Sequence, residues 1–153
     1  MSRMFLKLAC LIRKVSPLFD YKDGDFGGGL IFILENRLKN ENFSRINIKL
    51  NSLDNLLANV DSVDFIKIDA EGSEVYIIRG MTGIIERSPH IQILMEFYPR
   101  FIEKHISLSN FFSELGLIGF KFNKVQQTDL IPLKAKDPLK LDNCYILLSK
   151  SQT

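Results

Sequence analysis

Six residues in two short runs have the types and spacing to do chemistry. Lys67, Asp69, Glu71 and Glu74 lie in DFIKIDAEGSE, from Asp64 to Glu74, and Glu96 and Tyr98 lie in MEFYP. In the first run an apolar strand ends at Asp69, and Glu71, Gly72 and Glu74 then open a helix. In the second, a strand ends at Glu96, just before Tyr98 and Pro99. Open α/β sheets bind ligands at the carboxyl ends of their strands. If the two strands are neighbours, Asp69 and Glu96 share one rim, about 5 Å apart. Such a rim can orient hydroxyls, take a proton or hold a cation. Each residue also has a plainer reading. Asp69 suits a helix N-cap, and Glu71 and Glu74 suit the positive end of a helix dipole, the preferred reading for Glu74. Lys67, inside a strand apolar on both faces, needs a carboxylate partner, and a buried ion pair that orients the strand end is expected.

The elements that must position these residues follow from periodicity. Ser52 can cap a helix with Leu53, Leu56 and Leu57 at i, i+3, i+4. Val63 to Ile68 reads as a strand apolar on both faces apart from Lys67, as buried parallel strands are. A helical stretch from Val75 to Ile85 is split by Gly80 and Gly83 and closed by Pro89. Ile91 to Phe97 is a second buried strand. Ser107 caps an amphipathic helix through Leu108, Phe111, Phe112 and Leu115, with Gly116 as its stop. Phe120 and Phe122 alternate with Lys121, Pro132 puts Leu130 to Leu133 at an edge, and Cys144 to Leu148 is the last apolar run. Upstream, the turn-rich stretch from Asp20 to Gly29, the apolar run Leu30 to Leu34 and the alternation from Arg45 to Leu50 suggest an antiparallel hairpin. The order is βαβαβαβ with a hairpin-like tail, an α/β sheet with helices on its faces.

Composition narrows the class. The chain has 153 residues, 46% hydrophobic and 25% charged, the balance of one globular domain. A net charge of +2 with scattered basic residues gives no electrostatic footprint for nucleic acid. Cys10, Cys144, His90 and His105 lack metal-ligand spacing, and the cysteines read as buried free thiols in a reducing, cytoplasmic setting. No apolar run is long enough to span a membrane. Near the start, Leu8, Leu11, Ile12 and Val15 can share one helical face, and packing on the domain is preferred to a membrane-surface role.

VDFIKIDAEGSE is very similar to the signature of FkbM-family methyltransferases, in which a (V/L)D(F/L)(I/L)KID strand is followed by (V/A)EG(A/S)E. NSLDNLL resembles the family's TLDDLL-type helix start, IIRGMTGII its LKGA-type helix, and HIQILMEF its next strand ending in glutamate. FFSELGLIGFKF and DNCYILLSK resemble its closing helix and strands. The likeness runs from about Arg45 to Lys150. It implies a partial class I methyltransferase fold, a three-layer Rossmann-like α/β structure with a mostly parallel sheet and antiparallel tail strands. It also implies S-adenosylmethionine as cofactor, and methyl transfer to a hydroxyl of a sugar, glycan or other small natural product. Asp69, Glu71 and Lys67 would then be the catalytic candidates, and Glu96, Glu74 and Tyr98 the substrate-binding ones.

The family's DxGAxxG cofactor loop has no counterpart upstream of Arg45. The one glycine cluster, GDFGGG from Gly24 to Gly29, lacks a buried strand before it and a helix start after it, so a plain turn is expected there. Residues 1–44 are therefore read as an N-terminal helix and irregular hairpin, and 45–150 as the family's carboxyl-terminal region. Without its usual neighbour, the DFIKID strand would present an open edge. A truncated gene, a split enzyme completed by an N-terminal half, a non-catalytic remnant that pairs through the edge as a homodimer, and a small carbohydrate- or cation-binding domain using Asp69, Glu71 and Glu96 stay open.

Overall fold

The computed structural model describes residues 18–21, 29–32, 44–47, 50–70, 72–134 and 137–150. They form two sheets. In the first, β1 (Leu18–Tyr21) lies between β2 (Gly29–Phe32) and β3 (Ser44–Asn47), all antiparallel. The two runs expected to form a hairpin, Leu30 to Leu34 and Arg45 to Leu50, contribute β2 and β3, which do not pair with each other because β1 lies between them. β1, in SPLFDYKD, lies where no buried strand was expected, because a four-residue strand is too short to show a period.

The second sheet has five strands in the order β4-β5-β8-β6-β7. They are β4 (Phe65–Ile68), β5 (Gln92–Phe97), β6 (Phe120–Gln126), β7 (Asp129–Leu133) and β8 (Cys144–Lys150). β4 and β5 run parallel, with Lys67 beside Leu94 and Ile68 beside Met95. The other three pairings are antiparallel. The expectation of a mostly parallel sheet is thus corrected to a mixed, mostly antiparallel one. The last strand enters the sheet reversed between β5 and β6, which converts two contacts at once. Pro132 lies on the edge strand β7, as expected, where its missing N–H costs no ladder bond.

Between the strands run α1 (Leu53–Leu56), α2 (Glu74–Arg79), α3 (Thr82–Glu86), α4 (Pro99–Ile102) and α5 (Leu108–Leu117). Ser52 and Ser107 cap α1 and α5 by accepting the amides of Asn55 and Asn110. The Gly80–Gly83 region does break the middle helix in two. α5 runs past Gly116 and stops before Gly119, whose φ of +96° is the left-handed conformation a helix end needs. The four-residue α4 follows from Pro99 at its first turn, a position Pro favours.

All the buried apolar residues of the five-stranded sheet lie on one face. Ile68, Ile93, Met95, Phe97, Ile146, Leu148, Phe120 and Phe122 meet Val75, Ile78, Ile84, Phe111, Phe112 and Leu115 of the helices in one core. Phe112 stands edge-on to Phe97, Phe111 and Phe122. The described residues therefore make two layers of the three expected. β4 also departs from its expected burial on both faces, since Ile68 is buried but Phe65 is 42% exposed. The difference is physical: β4 is an edge strand, and no described helix packs over its Phe65 face.

Local bonds fix the entry to the rim. The Asp54 carboxylate accepts the amides of Gly83 (3.0 Å) and Ile84 (2.7 Å), so α1 caps the start of α3. Arg87 donates to the carbonyls of Val60 and Leu57, and Ser88 Oγ accepts the Val63 amide. The Lys150 ammonium donates to the Ile85 carbonyl at 2.7 Å, holding the end of α3 against β8.

Candidate functional site

The rim at the carboxyl ends of β4 and β5 is built by strand register. Ile68 pairs with Met95, so the next residues, Asp69 and Glu96, emerge side by side on the same face of the parallel pair. Glu96 in turn faces Tyr145 across the antiparallel pairing with β8. Lys67 is two residues before Asp69 on the same strand face, and its ammonium contacts Asp69 Oδ2 at 3.1 Å. The same ammonium lies 6.0 Å from the centre of the Tyr145 ring. Lys67, Asp69, Glu96 and Tyr145 thus form one polar cluster at a corner of the sheet.

The expected ion pair of Lys67 exists, but it is not buried. The Lys67 and Asp69 side chains are 43% and 24% exposed, because their face of β4 is open. The hydrogen bond from Lys67 to Asp69 raises the lysine's pKa above its ordinary value. The negative charge of Glu96, helped by partial burial and a hydrogen bond between the two side chains, raises the pKa of the Tyr145 phenol. Near neutral pH the phenol is therefore protonated and donates to Glu96. Tyr145 is the residue that sequence reading missed. Its only signal is a register with Glu96 that comes from a strand far along the chain.

The turn after Asp69 is structural. Glu74 is fully buried, and its Oε1 accepts the Ala70 amide at 3.1 Å, which closes the turn beneath the rim. Gly72 has φ +102°, and a Cβ there would meet the Phe101 Cβ at 2.7 Å. Phe101 in turn packs on Tyr98, with ring centres 5.7 Å apart. Tyr98 is half-buried beside the rim, as the N-cap of α4. Glu71 lies outside the described residues. The structure thus brings Lys67, Asp69 and Glu96 together, turns Glu74 inward, and keeps Tyr98 in the aromatic packing behind.

His105 and Cys144 flank this region. The Tyr76 hydroxyl is 3.0 Å from His105 Nδ1, with the rings edge-on at 4.9 Å. Burial, with a smaller push from Lys104, lowers the pKa of His105. Cys144 is a half-buried free thiol whose pKa burial raises, and Cys10 lies outside the described residues. No described helix is long and apolar enough to cross a membrane.

The described residues do not form a cradle for S-adenosylmethionine. The strands on either side of the glycine cluster, β1 and β2, pair antiparallel with Tyr21 opposite Gly29, and residues 22–28 lie outside the described residues. The strand-to-helix turn at Gly72 has its space filled by Phe101 and its Ala70 amide taken by Glu74. What the corner offers is acceptor chemistry: adjacent carboxylates that can take hydroxyl hydrogen bonds, an ammonium that favours their charged form, and a phenol that orients one of them.

Searches of curated proteins and of solved structures find no match to the chain. The family described as Methyltransferase FkbM domain matches residues 14–120. That match starts upstream of Arg45, where the motif likeness begins, and ends at the start of β6. It contains Lys67, Asp69, Glu96 and the turn between β4 and α2, and it covers well over half of the sequence: the chain belongs to the FkbM methyltransferase family.

Proposed function

We propose that this chain takes part in S-adenosylmethionine-dependent O-methylation and supplies the acceptor side of the reaction, binding a hydroxyl of a sugar or other small natural product. The observation that carries this reading is the side-by-side placement of Asp69 and Glu96 at the ends of the parallel pair β4 and β5, in a chain of this family. The relation of β4, β5, β6 and the reversed β8 supports a Rossmann-like reading of the sheet, since β6 runs the same way as β5 on the far side of β8.

The carboxylates have distinct surroundings. Asp69 carries the Lys67 ammonium, which pairs with its carboxylate. Glu96 lies opposite Tyr145, whose phenol it keeps protonated by its charge. In this reading Asp69 orients the acceptor by accepting a hydrogen bond from a neighbouring hydroxyl. Glu96 accepts the proton of the hydroxyl that becomes methylated. General-base help of this kind contributes roughly 10²–10⁴-fold. Lys67 is a positioning residue for Asp69. The family's S-adenosylmethionine supplies the methyl group, and the described residues hold no cradle for it.

Formation of S-adenosylhomocysteine from S-adenosylmethionine, measured over a panel of glycosides and polyols, tests the reading. Glu96→Gln is expected to lower turnover by about 10²-fold or more. Turnover by Glu96→Gln equal to wild type would remove Glu96 from the reaction.

A further inference from the structure

Strand register continues the polar corner in one line across the sheet. Glu96 on β5 lies opposite Tyr145 on β8, Tyr145 opposite Val125 on β6, and Val125 opposite Leu130 on β7. Directly paired residues share a face, so these four form a row on the side away from the core. The neighbouring row sets Leu94 of β5 opposite Leu147 of β8. None of the six is buried. Tyr145 and Leu130 are 38% and 52% exposed, while Ile146 and Phe122, on the other side of the same strands, lie in the core.

Polarity changes along this row in order. It starts at the two acids, passes the Tyr145 hydroxyl, which hydrogen-bonds Glu96, and then the Tyr145 ring, and ends in the aliphatic side chains of Val125 and Leu130. Leu130 is three strand spacings, about 14 Å, from Glu96. A water-facing side of an antiparallel sheet ordinarily carries polar residues. The far end of β5, β8 and β6 obeys that rule, with Gln92, Ser149 and Lys121 in one outward row. The apolar outward residues of these strands gather instead at the end that bears the acids. Small-molecule sites have this composition: a few placed polar groups beside an apolar and aromatic lining.

We propose that this row is the second half of the acceptor site and that the acceptor is amphipathic: a hydroxyl-bearing ring bonded at Asp69 and Glu96, with an alkyl or aromatic substituent laid over Tyr145, Val125 and Leu130. The inference rests on the acceptor reading of the corner and narrows its substrate class from any small polyol to a ring with an apolar arm. Tyr145 is the specificity-determining residue that joins the halves, its hydroxyl turned to Glu96 and its ring to the arm. Two strand spacings, about 10 Å, separate it from Leu130 and set the reach of the arm. A buried methylene is worth up to about fourfold in affinity, so an arm of several carbons on this half-open surface outweighs one hydroxyl contact.

Methyl and hexyl β-glucoside, titrated into the full chain below micelle-forming concentrations and followed by methyl NMR signals, test this without any methyl transfer. The hexyl compound is expected to bind about tenfold tighter or more, and to shift the Leu94, Val125 and Leu130 signals more than the methyl compound does. Val125→Thr with Leu130→Ser should bring the ratio of the two dissociation constants close to one, with the Ile84, Ile85 and Leu115 signals confirming the fold. Equal affinities, binding of neither compound, or a hexyl preference that survives both substitutions overturns the proposal. Shifts at Val125 and Leu130 that grow with protein concentration alone assign the row to a second copy and also overturn it. Turnover by Glu96→Gln separates this from the underlying reading. A hexyl preference with undiminished Glu96→Gln turnover sinks the methyl-transfer role of the corner and leaves the row, whereas lost turnover without a hexyl preference sinks the row alone.

Discussion

At the scale of single residues, the site depends on a few positions that tolerate one side chain. Gly72 combines a left-handed backbone with contact against Phe101. Gly72→Ala is expected to lower stability by about 1–3 kcal/mol, read from the denaturant midpoint, and Phe101→Ala in the same chain should recover only the steric part. His105 gives a pH signature. Its folded pKa is lowered, so the unfolded chain binds the proton first as pH falls. The contribution of the neutral ring is therefore complete above about pH 6.5 and is lost as the pH drops from there toward the folded pKa. With its proton on Nε2 the neutral ring accepts the Tyr76 hydroxyl at Nδ1, and protonation ends that arrangement. Wild-type stability should fall between pH 7.5 and 5, and His105→Gln should fall less over the same range. An equal fall in both would place the titrating group elsewhere. Asp69 and Glu96 were legible in the sequence because each ends an apolar run. Tyr145 was not, because its partner is set by strand order rather than by spacing.

At the scale of elements, caps and cross-links do what helix length does not. α1, α2 and α3 have four, six and five residues, too short to be stable alone. Asp54 connects the first to the third by accepting the amides of Gly83 and Ile84. Asp54→Ala should cost about 1–2 kcal/mol, the range of a lost helix cap, and Asp54→Asn less, both measured by chemical denaturation. The exposed Arg79–Glu114 pair between α2 and α5, at 2.9 Å, is worth at most about 1 kcal/mol, so Arg79→Ala should change the midpoint little. The strands after Asn51 and the helices α1, α2, α3 and α5 were legible from their periods and from Ser52 and Ser107, whereas the four-residue α4 is too short to show a period. The direction of the tail strands was not, since alternation reads the same in parallel and antiparallel sheets. Nor was the exposure of β4, because an apolar run does not reveal whether a second layer covers it.

At the scale of the molecule, the five-stranded sheet separates its tasks by face and by end. One face holds the core, the other carries the polar corner, and the carboxyl ends of β4 and β5 bring two acids together from different parts of the chain. The family relation identifies the reaction class, and the proposed function puts the acceptor at the corner. If Asp69 and Glu96 act on one bound acceptor, their effects on methyl transfer cannot be independent. The most direct test is the kcat of wild type, Asp69→Asn, Glu96→Gln and the double variant in S-adenosylhomocysteine formation with a single acceptor. The expected result is a large loss for each single variant and a double variant scarcely worse than Glu96→Gln alone. Losses that multiply, or single variants that keep full activity, would contradict a shared acceptor site at this rim.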